Sequence, residues 1–265
     1  MEIIGYIASI FIGIALGLIG GGGSILTVPV LVYLFAVDAV AATAYSLFIV
    51  GLTSSVGSFS YFKNGLVNIK TAIIFGIPSI VAVFLTRAYI VPAIPKEVFS
   101  IGDFVVTKSI LMMLLFAVLM IAASYSMIKK DKKNSNTEPG AQKFNYPVIL
   151  LEGAVVGVLT GLVGAGGGFL IIPALVVLSR LPMKEAVGTS LVIIAAKSLI
   201  GFVGEGGETM INWKLLASVS AFAIVGIFIG TMLSKKIDGA KLKPAFGWFV
   251  LVMGIYIIIK ETLLK

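Results

Sequence analysis

Cysteine and histidine are both missing from the 265 residues, and charged side chains fill only 12% of the positions. Without cysteine the chain has no disulfide and no thiolate chemistry, and without histidine it has no imidazole base and none of the usual zinc or haem ligation. A soluble domain carries about 25% charged residues, so a large soluble core is excluded. No glycine run is followed by Lys-Ser or Lys-Thr, which excludes a phosphate-binding loop of the NTPase type. The apolar segments hold no paired carboxylates, so an intramembrane enzyme is not expected, and neither is any cofactor or metal. The ~10-residue alternation of an outer-membrane barrel is also absent.

What is present is apolar. Hydrophobic residues make up 59% of the chain and the mean hydropathy is +1.12. Apolar runs near the ~20 residues that cross a hydrocarbon layer recur throughout. The expected class is all-α, a polytopic transmembrane helical bundle.

The first apolar segment spans about Ile3 to Gly20. It is too long, and too poor in an N-terminal basic region, for a cleaved signal peptide. A second, from about Ser24 to Val37, is short for a full crossing, so it either spans thinly or re-enters. A third, Ala39 to Phe62, is rich in small hydroxyl residues: Thr43, Ser46, Thr53, Ser54, Ser55 and Ser58. The fourth, Ile69 to Val91, contains Pro78, a kink site. A loop with Pro92, Pro95, Lys96, Glu97 and Asp103 follows, and the fifth runs from Val106 to Ile128. The second half repeats this order with Pro147 to Val163, a short Gly168 to Ser179, Lys184 to Gly204, Trp213 to Leu233 and Pro244 to Ile259. Residues 129–146 form a basic linker between a first membrane repeat, 1–128, and a second, 147–265.

Two glycine runs stand out within this apolar background. Gly17-Leu18-Ile19-Gly20-Gly21-Gly22-Gly23-Ser24 runs on to Pro29, and Gly161-Leu162-Val163-Gly164-Ala165-Gly166-Gly167-Gly168 runs on to Pro173. Glycine weakens a helix by about 1 kcal/mol per residue, and irregular backbone survives at membrane depth only where protein buries it or a watery cavity lies beside it. Interruptions at corresponding positions of two halves point to a transporter binding site. Shifted by 144 positions, residues 17–70 align without a gap on 161–214, with 18 of 54 identical. The matches include Gly20/Gly164, Pro29/Pro173, Ser46/Ser190, Ser54/Ser198 and Asn68/Asn212.

Each half holds an odd number of segments, five, so the two repeats are expected to be inverted relative to each other. Thirteen Lys and Arg residues fall on the face that holds the linker and six on the other, where Arg87 is counted. The excess marks the cytoplasmic side and places both termini outside. The net charge of +8 therefore reads as topology, and no nucleic-acid partner is expected. The partners implied are the lipid bilayer and a small anionic substrate.

The start of a helix presents unpaired N–H groups and partial positive charge. Two short helices opening at the glycine runs would direct such ends at one another. The candidate substrate-binding residues are Gly20, Gly22, Gly23, Ser24, Gly164, Gly166, Gly167 and Gly168, with Ser46 and Ser190 as hydroxyl donors and Lys197 as a mid-segment cation. Against this, the glycines could serve helix packing alone, the serines could bond their own helix, and Lys197 could snorkel toward Gly204. Glu152 reads as interfacial, and Glu205 and Glu208 as facing external water. Asn68 and Asn212 read as helix N-caps.

The doubled glycine motif with Pro29 and Pro173, together with Ala42 to Ser46 and Ala186-Val187-Gly188-Thr189-Ser190, resembles the sulfite exporter TauE/SafE family, also called the toluene-sulfonate uptake permease family. The resemblance extends over nearly the whole chain. It implies a multi-pass carrier of the inner cell membrane for sulfur-containing anions such as sulfite, thiosulfate or organosulfonates, working as exporter or importer. Ser24 departs from Gly168 of the second copy. The expected function is secondary transport by alternating access at the facing helix starts. An anion-selective channel using the same helix ends is the alternative.

Overall fold

The computed structural model describes residues 2–21, 23–101, 104–128, 146–164, 166–177, 181–204, 211–234 and 239–263. These form α1 (Glu2–Ile19), α2 (Ser24–Tyr33), α3 (Ala39–Lys63) and α4 (Ile69–Leu85), which continues through a π-helical turn (Thr86–Ile90) into α5 (Val91–Ala93). After a hairpin of β1 (Glu97–Ile101) and β2 (Phe104–Thr107) come α6 (Lys108–Ile128), α7 (Tyr146–Val163), α8 (Gly168–Val177), α9 (Met183–Val203), α10 (Trp213–Ser234) and α11 (Gly239–Leu263). Five stretches among the described residues are long and apolar enough to cross a membrane: Ala39–Lys63, Ile69–Ala93, Lys108–Tyr125, Met183–Val203 and Trp213–Ser234. The chain is thus a helical protein with membrane-spanning capacity. Of the linker expected at 129–146, all but Tyr146, which begins α7, lies outside the described residues, as do Glu205 and Glu208.

Local chemistry sets where several helices begin. Asp38 accepts from Val40 N at 2.9 Å and starts α3. Asn68 accepts from Thr71 N at 3.0 Å, and Asn212 from Leu215 N at 3.1 Å. Each supplies an acceptor to an otherwise unpaired N–H of the first turn. α2 and α8 have ten residues each, so each is about 15 Å long, half of a ~30 Å hydrocarbon layer.

Small residues decide the packing. A methyl group on Gly13 or Gly17 of α1 would strike the α10 backbone near Ala223 or Gly230, and one on Gly226 or Gly230 would strike α1 near Ile10 or Ile14. The order of these contacts shows α1 and α10 running parallel. Gly153 and Gly157 of α7 lie in the same way against the backbone of Phe75 and Ser79, and Gly161 lies against the side chain of Thr86. Four-residue spacing of small residues lets helix backbones approach where lipid supplies no hydrophobic drive. α3 and α9 instead run antiparallel, with Gly51 against Leu199 and Gly201 near Leu47. The largest buried cluster draws on both halves: Val28 and Ile49, Phe116 and Met120, then Val163, Val219 and Val250.

Three segments differ from the sequence expectation. The loop after the fourth segment contains the antiparallel β1–β2 pair, with Glu97 opposite Thr107, and this moves the start of α6 from Val106 to Lys108. The helix runs through Pro78, as expected, but its ladder widens at Thr86–Ile90, where Val91 N bonds Thr86 O. Pro92 follows directly, and a proline ring crowds the carbonyl four residues back. Finally, α11 begins at Gly239 and carries Pro244 inside.

Candidate functional site

α1 ends where Gly20 takes a φ of +77°, and α7 ends where Gly164 takes +72°. Left-handed backbone favours glycine and stops a helix. Gly20 N bonds Leu16 O and Gly164 N bonds Thr160 O, each at 2.7 Å. The carbonyls of the same two glycines accept from the opposite half. The Ser190 hydroxyl shares its proton between its own-helix carbonyl of Val187 at 2.8 Å and Gly20 O of the opposite half at 3.0 Å. The Ser46 hydroxyl donates to Gly164 O and approaches Thr43 O. A hydroxyl has one proton to give. Ser46 and Ser190, expected as donors to an anion, therefore spend that proton on backbone carbonyls here. They act as pins that hold the glycine runs.

The two runs then meet. A methyl group on Gly21 would fall on the backbone of Gly168, and one on Gly168 would fall on the backbone of Gly21. The first run also rests on α9 at Val187, and Gly23 rests on α1 at Ile12 and Leu16. The second run rests on α3, with Gly164 against Thr43 and Gly166 against Val50. Ser24 is buried and donates to Gly21 O at 2.7 Å. Gly22 lies outside the described residues.

Lys197 is fully buried, at 0% exposure. Its ammonium donates to Thr160 Oγ1 at 3.1 Å, and a methyl group built on Gly167 would lie 2.6 Å from Nζ. The side chain thus turns toward the start of α8 rather than snorkelling to the Gly204 end of its own helix. Gly166 (φ +63°) and Gly167 (φ +65°) supply the left-handed backbone that brings the chain past it. Ser198, the next residue, is also fully buried. Its Oγ lies 3.3 Å from a methyl built on Gly166 and has no hydrogen-bond partner. A buried cation, an unpartnered hydroxyl and a helix start therefore converge on Gly166–Gly168. A cavity of about 640 Å³ between α1, α2 and α11 offers nothing comparable, for its wall includes Phe11, Leu18, Leu26 and Met253 and no charged group.

A model of the family described as "Sulfite exporter TauE/SafE" matches residues 6–257. The chain belongs to the sulfite exporter TauE/SafE family. A "Probable membrane transporter protein" of Xylella fastidiosa (strain Temecula1) is 30% identical to this TauE/SafE protein over 255 residues, covering 93% of this chain and 91% of the relative. The "Probable membrane transporter protein YunE" of Bacillus subtilis is 30% identical over 235 residues, covering 83% and 84%. No solved structure matches the chain. Family and relatives make it a membrane transporter protein.

Sequence reading missed one buried cation of this TauE/SafE chain. Arg87, counted there with the exposed face, is at 0% exposure, and its Nη1 donates to Thr43 Oγ1 at 3.0 Å. It stands beside Gly204, which caps the end of α9. Its position inside an apolar run of 25 residues, Ile69–Ala93, was the available signal.

Proposed function

We propose that the protein is a secondary transporter for a small sulfur-containing anion, of the sulfite, thiosulfate or organosulfonate type, held where the two glycine runs meet. This reading rests on Lys197, a buried ammonium that lies beside Gly167 at the positive end of α8. A cation next to a helix start is unfavourable by itself, because both carry positive charge. An anion between them turns that repulsion into two attractions, and the idle Ser198 hydroxyl adds a donor. Glycine at 166, 167 and 168 allows the anion to reach the backbone N–H groups.

Alternating access requires two halves that exchange roles, and the contacts favour such a pair related by a two-fold axis lying in the membrane. The pins Ser46–Gly164 and Ser190–Gly20 exchange under the 144-residue shift. Asn68 N bonds Thr189 Oγ1 at 2.9 Å, and its counterpart Asn212 N bonds Oη of Tyr45, the counterpart of Thr189, at 2.7 Å. The counterpart helices α3 and α9 lie antiparallel, as inverted repeats demand. In this reading residues 1–128 and 147–265 are the repeats, the linker is cytoplasmic and both termini are external.

The test is thermal stabilisation of the purified protein by sulfite, thiosulfate, an alkyl sulfonate and acetate. Stabilisation by a sulfur oxyanion that disappears in Gly167→Leu is expected. Equal stabilisation of wild type and Gly167→Leu overturns the site.

A further inference from the structure

The cavity between α1, α2 and α11 holds about 640 Å³, within the roughly 300–1,000 Å³ of small-molecule sites, and the anion site proposed above does not use it. α1 and α2 make a hairpin beside it. A methyl group on Gly5 would strike the ring of Phe35, and Tyr6 stacks on Phe35 with centroids 5.3 Å apart, so the end of α2 returns to the start of α1. The cavity follows this hairpin from Ala8 and Tyr33 at one end to Ile19 and Leu26 at the other. From residue 8 to residue 19 is about 16 Å along α1, close to half of a ~30 Å hydrocarbon layer.

The two ends of the cavity differ in chemistry. Leu18, Ile19 and Leu26 make the inner end apolar. At the outer end Tyr33 and Tyr256 both line the wall, and their rings meet edge to face, 5.8 Å apart and at 80°. Lys260 of α11 lies over this pair, with Nζ 3.8 Å from the centre of the Tyr33 ring and 5.8 Å from that of Tyr256. The ring faces attract the ammonium, which still has N–H groups to donate. Glu261, the next residue, is 3% exposed and accepts from Tyr33 Oη at 3.3 Å, so its carboxylate turns into the protein. Tyr33 corresponds to Val177 at the 144-residue shift, so the second half does not repeat this rim. Phe11 and Tyr256 are 61% and 45% exposed, which leaves the cavity open along its side.

We propose that this cavity binds one glycerophospholipid, with an acyl chain along the α1–α2 hairpin and the phosphate on the ammonium of Lys260. The length of the cavity is the depth of one leaflet, and its open side faces the layer that supplies acyl chains. Its outer end carries two tyrosines, residues suited to the level of the lipid headgroups, and a cation that pairs with a phosphate oxygen. Apolar contact alone does not select an occupant here, because the surrounding lipid is as apolar as the wall. The phosphate contact at the rim supplies the selection, and the packed bed between three helices holds the chain. The bound chain ends against Ile19, next to Gly20, so the lipid braces the end of α1 where the first glycine run begins.

The test uses the full chain, delipidated in detergent and titrated with dioleoyl phosphatidylglycerol or with dioleoylglycerol, which has the same chains and no phosphate. Native mass spectrometry counts bound lipid, and thermal melts follow its effect. One phosphatidylglycerol per chain is expected, raising the melting temperature, with no such effect from dioleoylglycerol. Ala15→Trp, which fills the cavity from α1, should abolish this binding while circular dichroism shows the helices intact. Lys260→Gln should weaken it about fivefold, the order of one exposed ion pair. It leaves the cavity wall untouched and decides the question should Ala15→Trp not fold. Equal binding of the two lipids, or unchanged affinity in Lys260→Gln, overturns the phosphate contact. Binding that persists in folded Ala15→Trp overturns the cavity as the site. A lipid-free dimer that Ala15→Trp dissociates would make a second copy of the chain the occupant and overturn the lipid.

Discussion

Ser190 and Gly20, 170 residues apart in the chain, are joined by a 3.0 Å hydrogen bond from the serine hydroxyl to the glycine carbonyl. The counterpart bond joins Ser46 to Gly164. Each pin ties the end of one half's first helix to the third helix of the other half, so the glycine runs are located by contacts between halves.

Removing a pin leaves a buried carbonyl without its partner. Such a loss costs about 1–3 kcal/mol in water-soluble proteins and averages nearer 0.6 kcal/mol between membrane helices. Ser46→Ala and Ser190→Ala should each lower stability by about 1 kcal/mol, and the double variant should lose close to the sum. Unfolding in detergent by denaturant measures this. A variant as stable as the wild type would mean that the pin is dispensable.

Gly21 and Gly168 meet backbone to backbone, so neither position has room for a side chain. Gly21→Val and Gly168→Val should abolish transport while the helical content seen by circular dichroism stays near that of the wild type. Gly65 is the control, since it has a positive φ yet nothing within 4 Å of a built methyl. Gly65→Ala should cost no more than the 1–2 kcal/mol of a left-handed non-glycine residue and should leave transport intact.

Lys197→Met replaces a buried charge by an apolar chain of similar length. Apolar replacements of buried ionic groups are often neutral or stabilising by 1–4 kcal/mol. The variant should melt at or above the wild-type temperature and bind sulfite at least tenfold more weakly. Thermal melts and titration calorimetry on one preparation check both outcomes. Weakened binding together with a lower melting temperature would instead mark Lys197 as a structural residue.

Because the chain has no cysteine, single introduced thiols report topology without background. Ser135→Cys, in the linker, should react with a membrane-impermeant maleimide only after the cells are opened, and Lys265→Cys should react in intact cells. The reverse pattern would invert the orientation derived from the lysines and arginines.

Segment starts were the most legible feature in the sequence. The expected starts at Ser24, Ala39, Ile69, Gly168 and Trp213 are those of α2, α3, α4, α8 and α10. Capping by Asp38, Asn68 and Asn212 and the breaking power of glycine act over a few residues, so sequence carries them. The hairpin at 97–107 was not legible, because its short strands follow prolines and charges and gain their pairing only from each other. Arg87 was misplaced for a related reason. Hydropathy counts a cation near the end of a span as interfacial, whereas the π-helical turn buries this one against Thr43.

The glycine runs show where the division lies. Sequence alone determined that there are two of them, that they correspond at a shift of 144, that each opens a short apolar segment, and that the chain is an apolar helical membrane protein. Those properties follow from composition, local backbone preference and duplication. Only the tertiary structure decided which polar groups remain for a ligand. It committed the matched serines to carbonyls of the opposite half, turned the ammonium of Lys197 toward Gly167, and left the Ser198 hydroxyl idle. Each of these depends on which residue of one half lies opposite which residue of the other. Packing of the whole core fixes that register, and no local stretch of sequence encodes it.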